Sequence, residues 1–277
     1  IEKINMNHEI LKDEILKDEL LQQLMYAEFN SRQKIDIIII VHDQLDYIQR
    51  CIESIYKNTK DFNLFIWDNG SAEPTANYLR EIATKNNVYL ERSEENLGFI
   101  KPNNILAAKG SSPYLILLNS DTEVYSGWDT AMVGWLIGKP DYAQVGYLGG
   151  MLDETGLGGT ADKGECIDYV CGWCVCMPRN IYNKFGLFDE KNLNFAYGED
   201  ADLSLRLVEA GYKIRALHLE FIVHFGNATI RQVRRERDCK TTFEQNHDYI
   251  RQRWKDYLST KRALLTMTST KTYRQFI

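Results

Sequence analysis

No stretch of this sequence is long and apolar enough to cross a bilayer. The richest run, IDIIIIV at 35–41, has seven residues, against the roughly 20 a spanning helix needs. The amino-terminal residues lack the basic, apolar and small-residue order of a secretory leader. A cationic surplus is also missing. Lys and Arg total 33 against 39 Asp and Glu, for a formal charge of −6, and no face interleaves basic with aromatic residues, so nucleic acid is not an expected partner. The six cysteines lack the dispersed spacing of a disulfide framework, since four of them crowd between Cys166 and Cys176, and they read as reduced thiols. On these absences the chain reads as cytosolic, an expectation from the sequence alone. The first residue is Ile1 rather than Met, as in a processed chain or one module of a longer protein.

What is present is 277 residues, 44% hydrophobic and 26% charged, which is enough for one large core with appendages. Residues 4–30 have neither Pro nor Gly and read as a helix. The repeat in ILKDEILKDEL steps five residues, about 140° around a helix, so its apolar pairs form no single stripe. That leaves two readings open, an oligomerisation or partner helix and a helix packed on its own domain.

From Ile35 the pattern becomes strands alternating with helices. Strands are expected at 35–41, 63–71, 88–92 and 114–118, and helices at 45–58, 74–85 and 102–109. This order gives an α/β fold with a mostly parallel central sheet flanked by helices, whose ligands bind beyond the carboxyl ends of the strands. Polar residues after Val41, Trp67 and Leu118 converge there. Farther on, the Gly-rich 141–164 reads as loops, 166–179 as a strand, and 199–214 as a short helix closed by Gly211 and followed by a strand. After Asn227 the chain reads as polar and helical. Its basic run, Arg231 to Lys240, suits either a solvated face or an anionic surface such as lipid headgroups at the inner face of a membrane. The expected organisation is a helical extension at 1–33, a domain at 34–228 divided near residue 124, and a helical extension at 229–277.

The strand ends carry the candidate chemistry. Asp68, in WDNGS, can accept hydrogen bonds from a nucleobase imide or a ribose, or cap its own turn. Asn96, Gly98, Lys101 and Asn104, in NLGFIKPNN, lead into a helix, where N–H groups and a lysine suit phosphate, or form an ordinary helix entrance. Asp121, in YLILLNSDTEVYSGW, can hold a divalent cation flanked by Asn119 or Glu123. Glu199, Asp200 and Asp202 crowd a helix start. The dipole favours acids there, but three within four residues need a cation, donors or a catalytic duty to offset their repulsion. His224, in FIVHFGN, is either a metal ligand or structural.

In this order, IIIIVHDQLDYIQRCIESI, FIWDNGS, NLGFIKPNN, YLILLNSDTEVYSGW, VCGWCVCMPR, FGLFDE and YGEDADLSLRLVEAGYKI, with the later His224, resemble the family 2 inverting glycosyltransferases of GT-A fold over about residues 35–227. The resemblance implies a hexosyltransferase-type enzyme with a nucleotide half at 34–124 and an acceptor half at 125–228. It implies that Asp68 contacts the base, with His42 and Asp43 near the nucleoside, and that Asn119, Ser120 and Asp121 form the DxD-type segment. Asp121 would hold Mn²⁺ or Mg²⁺ with His224. Asp200 would be the catalytic base, supported by Glu199 and Asp202, and Gly172 and Trp173 would shape the sugar and acceptor site. The implied partners are a nucleotide diphosphate sugar, UDP or dTDP favoured because an acid can read an imide N–H, and a glycan or glycoprotein acceptor. Two departures stand out: an Asn in the first position of DxD, and His-Asp where many members have an aromatic followed by Asn.

Three other readings compete. The cysteine run can be a zinc site, but its strand-like spacing with Val170, Trp173, Val175 and Met177 favours buried thiols. A catalytically silent assembly module acting through the terminal helices is opposed by the intact set Asp68, Asp121 and Asp200. A sugar nucleotidyltransferase would need a Gly-rich loop after the first strand, and VHDQLDYI has no glycine.

Overall fold

The run IDIIIIV forms β1 (Ile35–Val41), with side chains that alternate between two hydrophobic clusters. Ile35, Ile37, Ile39 and Val41 face one cluster and Ile38 the other, as the two-residue strand period requires. A strand greasy on both faces needs helices on both. The computed structural model, which describes residues 34–153, 158–162, 167–217, 221–226 and 240–260, has that arrangement. The first cluster holds residues of α1 (Leu45–Asn58), α2 (Glu73–Ile82) and α4 (Trp128–Ile137). The second holds residues of α3 (Ile100–Lys109), α5 (Arg179–Phe185), α6 (Glu199–Glu209) and α7 (Lys240–Arg253). In α1, Ile48, Cys51, Ile52 and Ile55 are buried, the spacing of one helical face.

Between these layers lies a seven-stranded sheet, which also contains β2 (Phe62–Asn69), β3 (Val88–Ser93), β4 (Tyr114–Leu118), β6 (Tyr142–Gly146), β10 (Cys174–Pro178) and β11 (Lys213–Ala216). Its order is β11-β6-β10-β4-β1-β2-β3. The pairs of β1 with β2 and β4, of β2 with β3, and of β6 with β11 are parallel, while β10 runs antiparallel to both neighbours. The carboxyl ends of β1, β2 and β4 therefore open on one edge. There, β5 (Thr122–Val124) and β12 (Ile222–His224) form a two-stranded ribbon.

The structure corrects several expected elements. The Gly-rich 141–164 contains β6, β7 (Gly149–Leu152) and β8 (Gly158–Asp162) rather than loops. Its glycines serve close packing: a Cβ on Gly146 would lie 2.5 Å from the Cys174 carbonyl oxygen, and one on Gly149 2.6 Å from Ile167 Cγ2. The expected strand 166–179 is β9 (Tyr169–Val170) and β10, separated by the turn at Gly172 and Trp173. The helix expected to close at Gly211 runs Glu199–Glu209, and Gly211, at φ +87°, leads into β11 as expected. The segment expected as a carboxyl-terminal extension is, over 240–260, part of the second core, where Ile250, Trp254 and Leu258 are buried. The helix expected at 4–30, the basic residues 231–237 and Cys166 lie outside the described residues. Cys174 and Cys176 are buried in β10 with their thiols pushed up by burial. No described helix is long and apolar enough to cross a membrane.

At the edge away from those carboxyl ends, one buried ion pair joins the layers. Asp36 is fully buried and receives Arg179 Nη2 at 2.8 Å, the Ser112 N–H at 2.8 Å, the Ser112 hydroxyl at 2.6 Å and Asn63 Nδ2 at 2.8 Å. Arg179 also donates to the carbonyls of Ala107 and Ser112. Removing one partner strands the other's charge in a dry site. Arg179→Ala should lower unfolding free energy by about 3–5 kcal/mol, read as a shifted urea midpoint, and a midpoint equal to wild type would contradict this.

Candidate active site

Beyond the strand ends, a turn is built from backbone that few residues tolerate. Asp43 and Gln44 follow β1 at φ 54° and 58°, and the Gln44 carbonyl then accepts the N–H groups of Tyr47 and Ile48 to start α1. Asp43 Oδ1 accepts the Ala72 N–H at 2.7 Å and the Asp43 N–H meets Ser71 Oγ at 2.9 Å, so the turns after β1 and β2 are tied together. Asn69 ties in a third segment. Its Nδ2 donates to Asn96 Oδ1 and to the Gly98 carbonyl, both at 2.8 Å, and its Oδ1 accepts the Leu97 N–H at 2.7 Å. Its carbonyl also lies 2.9 Å from His42 Nδ1. Gly98, at φ +83°, has no alternative: a Cβ there would meet the Phe195 carbonyl oxygen at 2.5 Å.

These turns form one wall of a cavity of about 270 Å³. The strand β4 ends in the turn Asn119–Asp121, which forms its floor. The Asn119 N–H donates to the Trp173 carbonyl at 2.8 Å, joining the turn after β4 to the turn between β9 and β10. The β5–β12 ribbon places His224 Nε2 3.1 Å from Asp121 Oδ1, although the two residues are 103 positions apart. Trp173 stacks on the His224 ring, with centroids 4.7 Å apart and planes 12° from parallel.

The opposite wall is the start of α6 and the segment before it. Asp200 accepts the Gly172 N–H at 3.1 Å and the Ala201 N–H at 2.8 Å. Burial raises its pKa and these donors oppose the rise. Burial first, and then the charge of Asp200, pushes Glu199 from its ordinary 4.5 to about 8. Of the pair, Glu199 is therefore the one that keeps its proton near neutral pH. Glu199 Oε2 and Trp173 Nε1 are buried with no hydrogen-bond partner among the described residues. Ahead of the acids, Phe195 and Tyr197 line the cavity at φ 64° and 75°, left-handed backbone that costs on the order of 1–3 kcal/mol per residue.

Of the residues expected from the sequence, the cavity brings together His42, Asn96, Gly98, Asn119, Ser120, Asp121, Gly172, Trp173, Glu199, Asp200 and His224. Six do not line it. Asp68 is buried, accepting the Ser71 N–H at 2.9 Å and pairing with Arg92, and Asp43 is held in its turn. Lys101 is exposed, because the first turn of α3 points it outward. Asn104 Nδ2 donates to the Phe188 carbonyl at 2.9 Å and its Oδ1 accepts the Phe188 N–H at 2.9 Å, so it staples α3 to the loop after α5. Asp202 is fully buried behind α6, bonded by Arg206, Trp254 and Arg253; Asp202 therefore has structural bonds instead of a place at the cavity. Glu123, on the other face of β5, is likewise absent from the lining. Sequence reasoning missed Asn69, Phe99, Phe195 and Tyr197; the signal for the last two was FAYG, aromatic residues and a glycine directly before the acids.

Asp121 and His224 are a hard oxygen and an imidazole, a donor pair that suits Mn²⁺ or Mg²⁺. No third His, Cys, Asp or Glu completes a metal-holding group among the described residues. Further ligands would have to come from a bound phosphate or from water.

Residues 36–158 match the family described as glycosyl transferase family 2. A teichoic acid poly(glycerol phosphate) polymerase of Staphylococcus epidermidis is 33% identical over 97 residues, 34% of this chain but 13% of that polymerase. Among solved structures, GalNAc-T7 with UDP, GalNAc and Mn²⁺ matches at TM-score 0.61 and 18% identity, over 69% of this chain and 44% of that one. The mannosyltransferase PcManGT from Pyrobaculum calidifontis, with GDP-Man and Mn²⁺, matches at 0.56 and 12%, over 92% and 85%. S. aureus TarS 1–349 matches at 0.54 and 16%, over 73% and 64%. At these identities what is shared is the fold, which is GT-A.

The buried acid pair carries a pH signature. Folded Glu199 keeps a proton that the unfolded chain loses near pH 4.5, so between there and about pH 8 the folded state binds more protons, and stability falls as pH rises. Glu199→Gln should flatten that fall in denaturant titrations at pH 5, 6.5 and 8. An unchanged pH slope would contradict the protonated Glu199.

Proposed function

We propose that this chain, which matches glycosyl transferase family 2 over residues 36–158, is a metal-dependent inverting enzyme. It moves a sugar from a nucleotide diphosphate donor, UDP or dTDP favoured, to a hydroxyl of a glycan or glycoprotein. One observation carries this reading: a single cavity has the Asp121–His224 pair on one wall and Asp200, held by two backbone N–H groups, on the opposite one.

The residues divide the work by position. His42, Asn96, Gly98, Asn119 and Ser120 receive the nucleoside diphosphate; Asp68, already paired with Arg92, would reach the base only at the rim. Asp121 and His224 would hold Mn²⁺ or Mg²⁺, which when bound supplies positive charge to a diphosphate leaving group. Lys101 was the expected second cation, but its exposure removes it from that role. Asp200 Oδ accepts the proton of the acceptor hydroxyl as that oxygen attacks the anomeric carbon from the face opposite the departing diphosphate. One displacement inverts that carbon. Glu199 Oε2 and Trp173 Nε1, each without a partner among the described residues, bind sugar or acceptor hydroxyls, and neutral Glu199 spares Asp200 a second charge beside it. Gly172 holds Asp200 in place through its N–H.

A general base of this kind contributes about 10²–10⁴-fold. Asp200→Asn should reduce nucleoside diphosphate release in the presence of acceptor by that factor, with donor affinity kept within about threefold. Near-normal turnover would sink the assignment. Asp121→Ala should abolish the dependence of donor affinity on Mn²⁺ in calorimetry, and affinity that still rises with Mn²⁺ would remove Asp121 from the metal site.

A further inference from the structure

The wall that carries the acids is held from outside the matched family segment. Residues 194–198 run directly into Glu199 and Asp200, and three of them, Phe195, Tyr197 and Gly198, are left-handed. Such a segment turns its carbonyls out of any regular ladder, and they need donors from elsewhere. One side chain serves three of them. Asn246, on α7 and fully buried, donates from Nδ2 to the carbonyls of Asn194 at 2.8 Å, Ala196 at 3.0 Å and Tyr197 at 2.9 Å. Its Oδ1 accepts the Asn194 N–H at 3.0 Å. Nearly the whole hydrogen-bonding capacity of one amide is spent on one loop.

The same helix closes over the loop at two further points. Phe243 meets the Tyr197 ring edge-on at 4.5 Å, and Ile250 packs where Gly198 has no Cβ, 3.1 Å from where one would stand. On its other side, the loop's Phe195 carbonyl accepts the N–H groups of Phe99 at 2.6 Å and Ile100 at 3.1 Å, the first donors of α3. The loop is thus clamped between the nucleotide-side helix α3 and the carboxyl-terminal helix α7.

We propose that Asn246 is a positioning residue for catalysis: through the 194–198 loop it sets the aromatic wall of the cavity and the placement of Asp200, which makes α7 part of the active site. The inference rests on the catalytic role proposed for Asp200. It commits to an effect on turnover without one on nucleotide binding, because Asn246 touches neither the turns after β1 and β2 nor Asp121.

Three proteins test it: wild type, Asn246→Ala, and Tyr257→Phe. The last is a control that loosens the same carboxyl-terminal segment by removing the 3.0 Å bond from Tyr257 to Asp168 and leaves the loop bonds alone. Each is assayed well below its melting temperature for nucleoside diphosphate affinity, donor turnover with its pH profile, and amide hydrogen exchange. Displacing a reacting group by about 1 Å costs about a hundredfold. Asn246→Ala should therefore lose about 10- to 100-fold in kcat, keep nucleoside diphosphate affinity within about twofold, move the acidic limb of its pH profile, and exchange faster over 194–202. Tyr257→Phe should melt earlier with kcat unchanged. A folded Asn246→Ala with wild-type kcat, or an equal kcat loss in Tyr257→Phe, overturns the proposal. If wild type turned over no donor, the proposed function would fail instead, and exchange alone would judge the clamp: unchanged rates over 194–202 in Asn246→Ala overturn it.

Discussion

Two carboxyl groups side by side in a buried wall are the constraint the rest of the site answers to. Glu199 and Asp200 begin α6, where the helix dipole favours one negative charge, but burial and mutual repulsion oppose two. The protein resolves this by leaving a proton on Glu199 and directing two backbone N–H groups at Asp200. One of those donors is Gly172, in the turn between β9 and β10. The antiparallel insertion of β10 beside β4 fixes that turn, so the only reversed strand of the seven-stranded sheet brings Asp200's donor next to the floor at Asn119.

The facing wall is assembled differently, mostly from turns at the strand ends. Three turns after parallel strands are joined through side-chain amides and hydroxyls, with Asn69 at the centre and Asp43, Ser71 and Asn96 around it. Left-handed backbone at Asp43 and Gln44 keeps the first turn tight against the sheet. The price of such strain is met by the buried core below, which Asp36 and Arg179 anchor at the far edge of the sheet. Stability and chemistry thus sit at opposite ends of the same strands.

Much of this was legible in the sequence, for reasons that differ by element. Strands β1 and β4 are continuous apolar runs and announce a sheet buried on both faces. The helix α1 has a clean 3.6-residue period. His42, Asn119 and Asp121 could be placed because they directly follow such strands. Other features have no local pattern. The ribbon of β5 and β12, three residues each, is too short to carry a period, yet it alone brings His224 to Asp121. Glycines in 146–158 resemble a loop but serve close strand packing. Asp202 and Asn104 have the residue types of a site and the bonds of a scaffold, which only the packing of α6 and α3 can decide. Asn246 is one amide in a polar helix, with nothing in its neighbours to single it out.

With Asn119 in place of a carboxylate, the pair Asp121 and His224 offers a divalent cation few protein ligands, and the donor's own diphosphate would have to supply others. Metal and donor should therefore bind as one unit. The most direct test of this account is thermal unfolding of the wild-type protein with a panel of UDP, dTDP and GDP sugars, each with and without Mn²⁺, since a ligand bound to the folded state raises its melting temperature by mass action. The account predicts a rise with a UDP or dTDP sugar that is large only when Mn²⁺ is present, and little from Mn²⁺ alone. No rise with any nucleotide sugar in Mn²⁺ would contradict it.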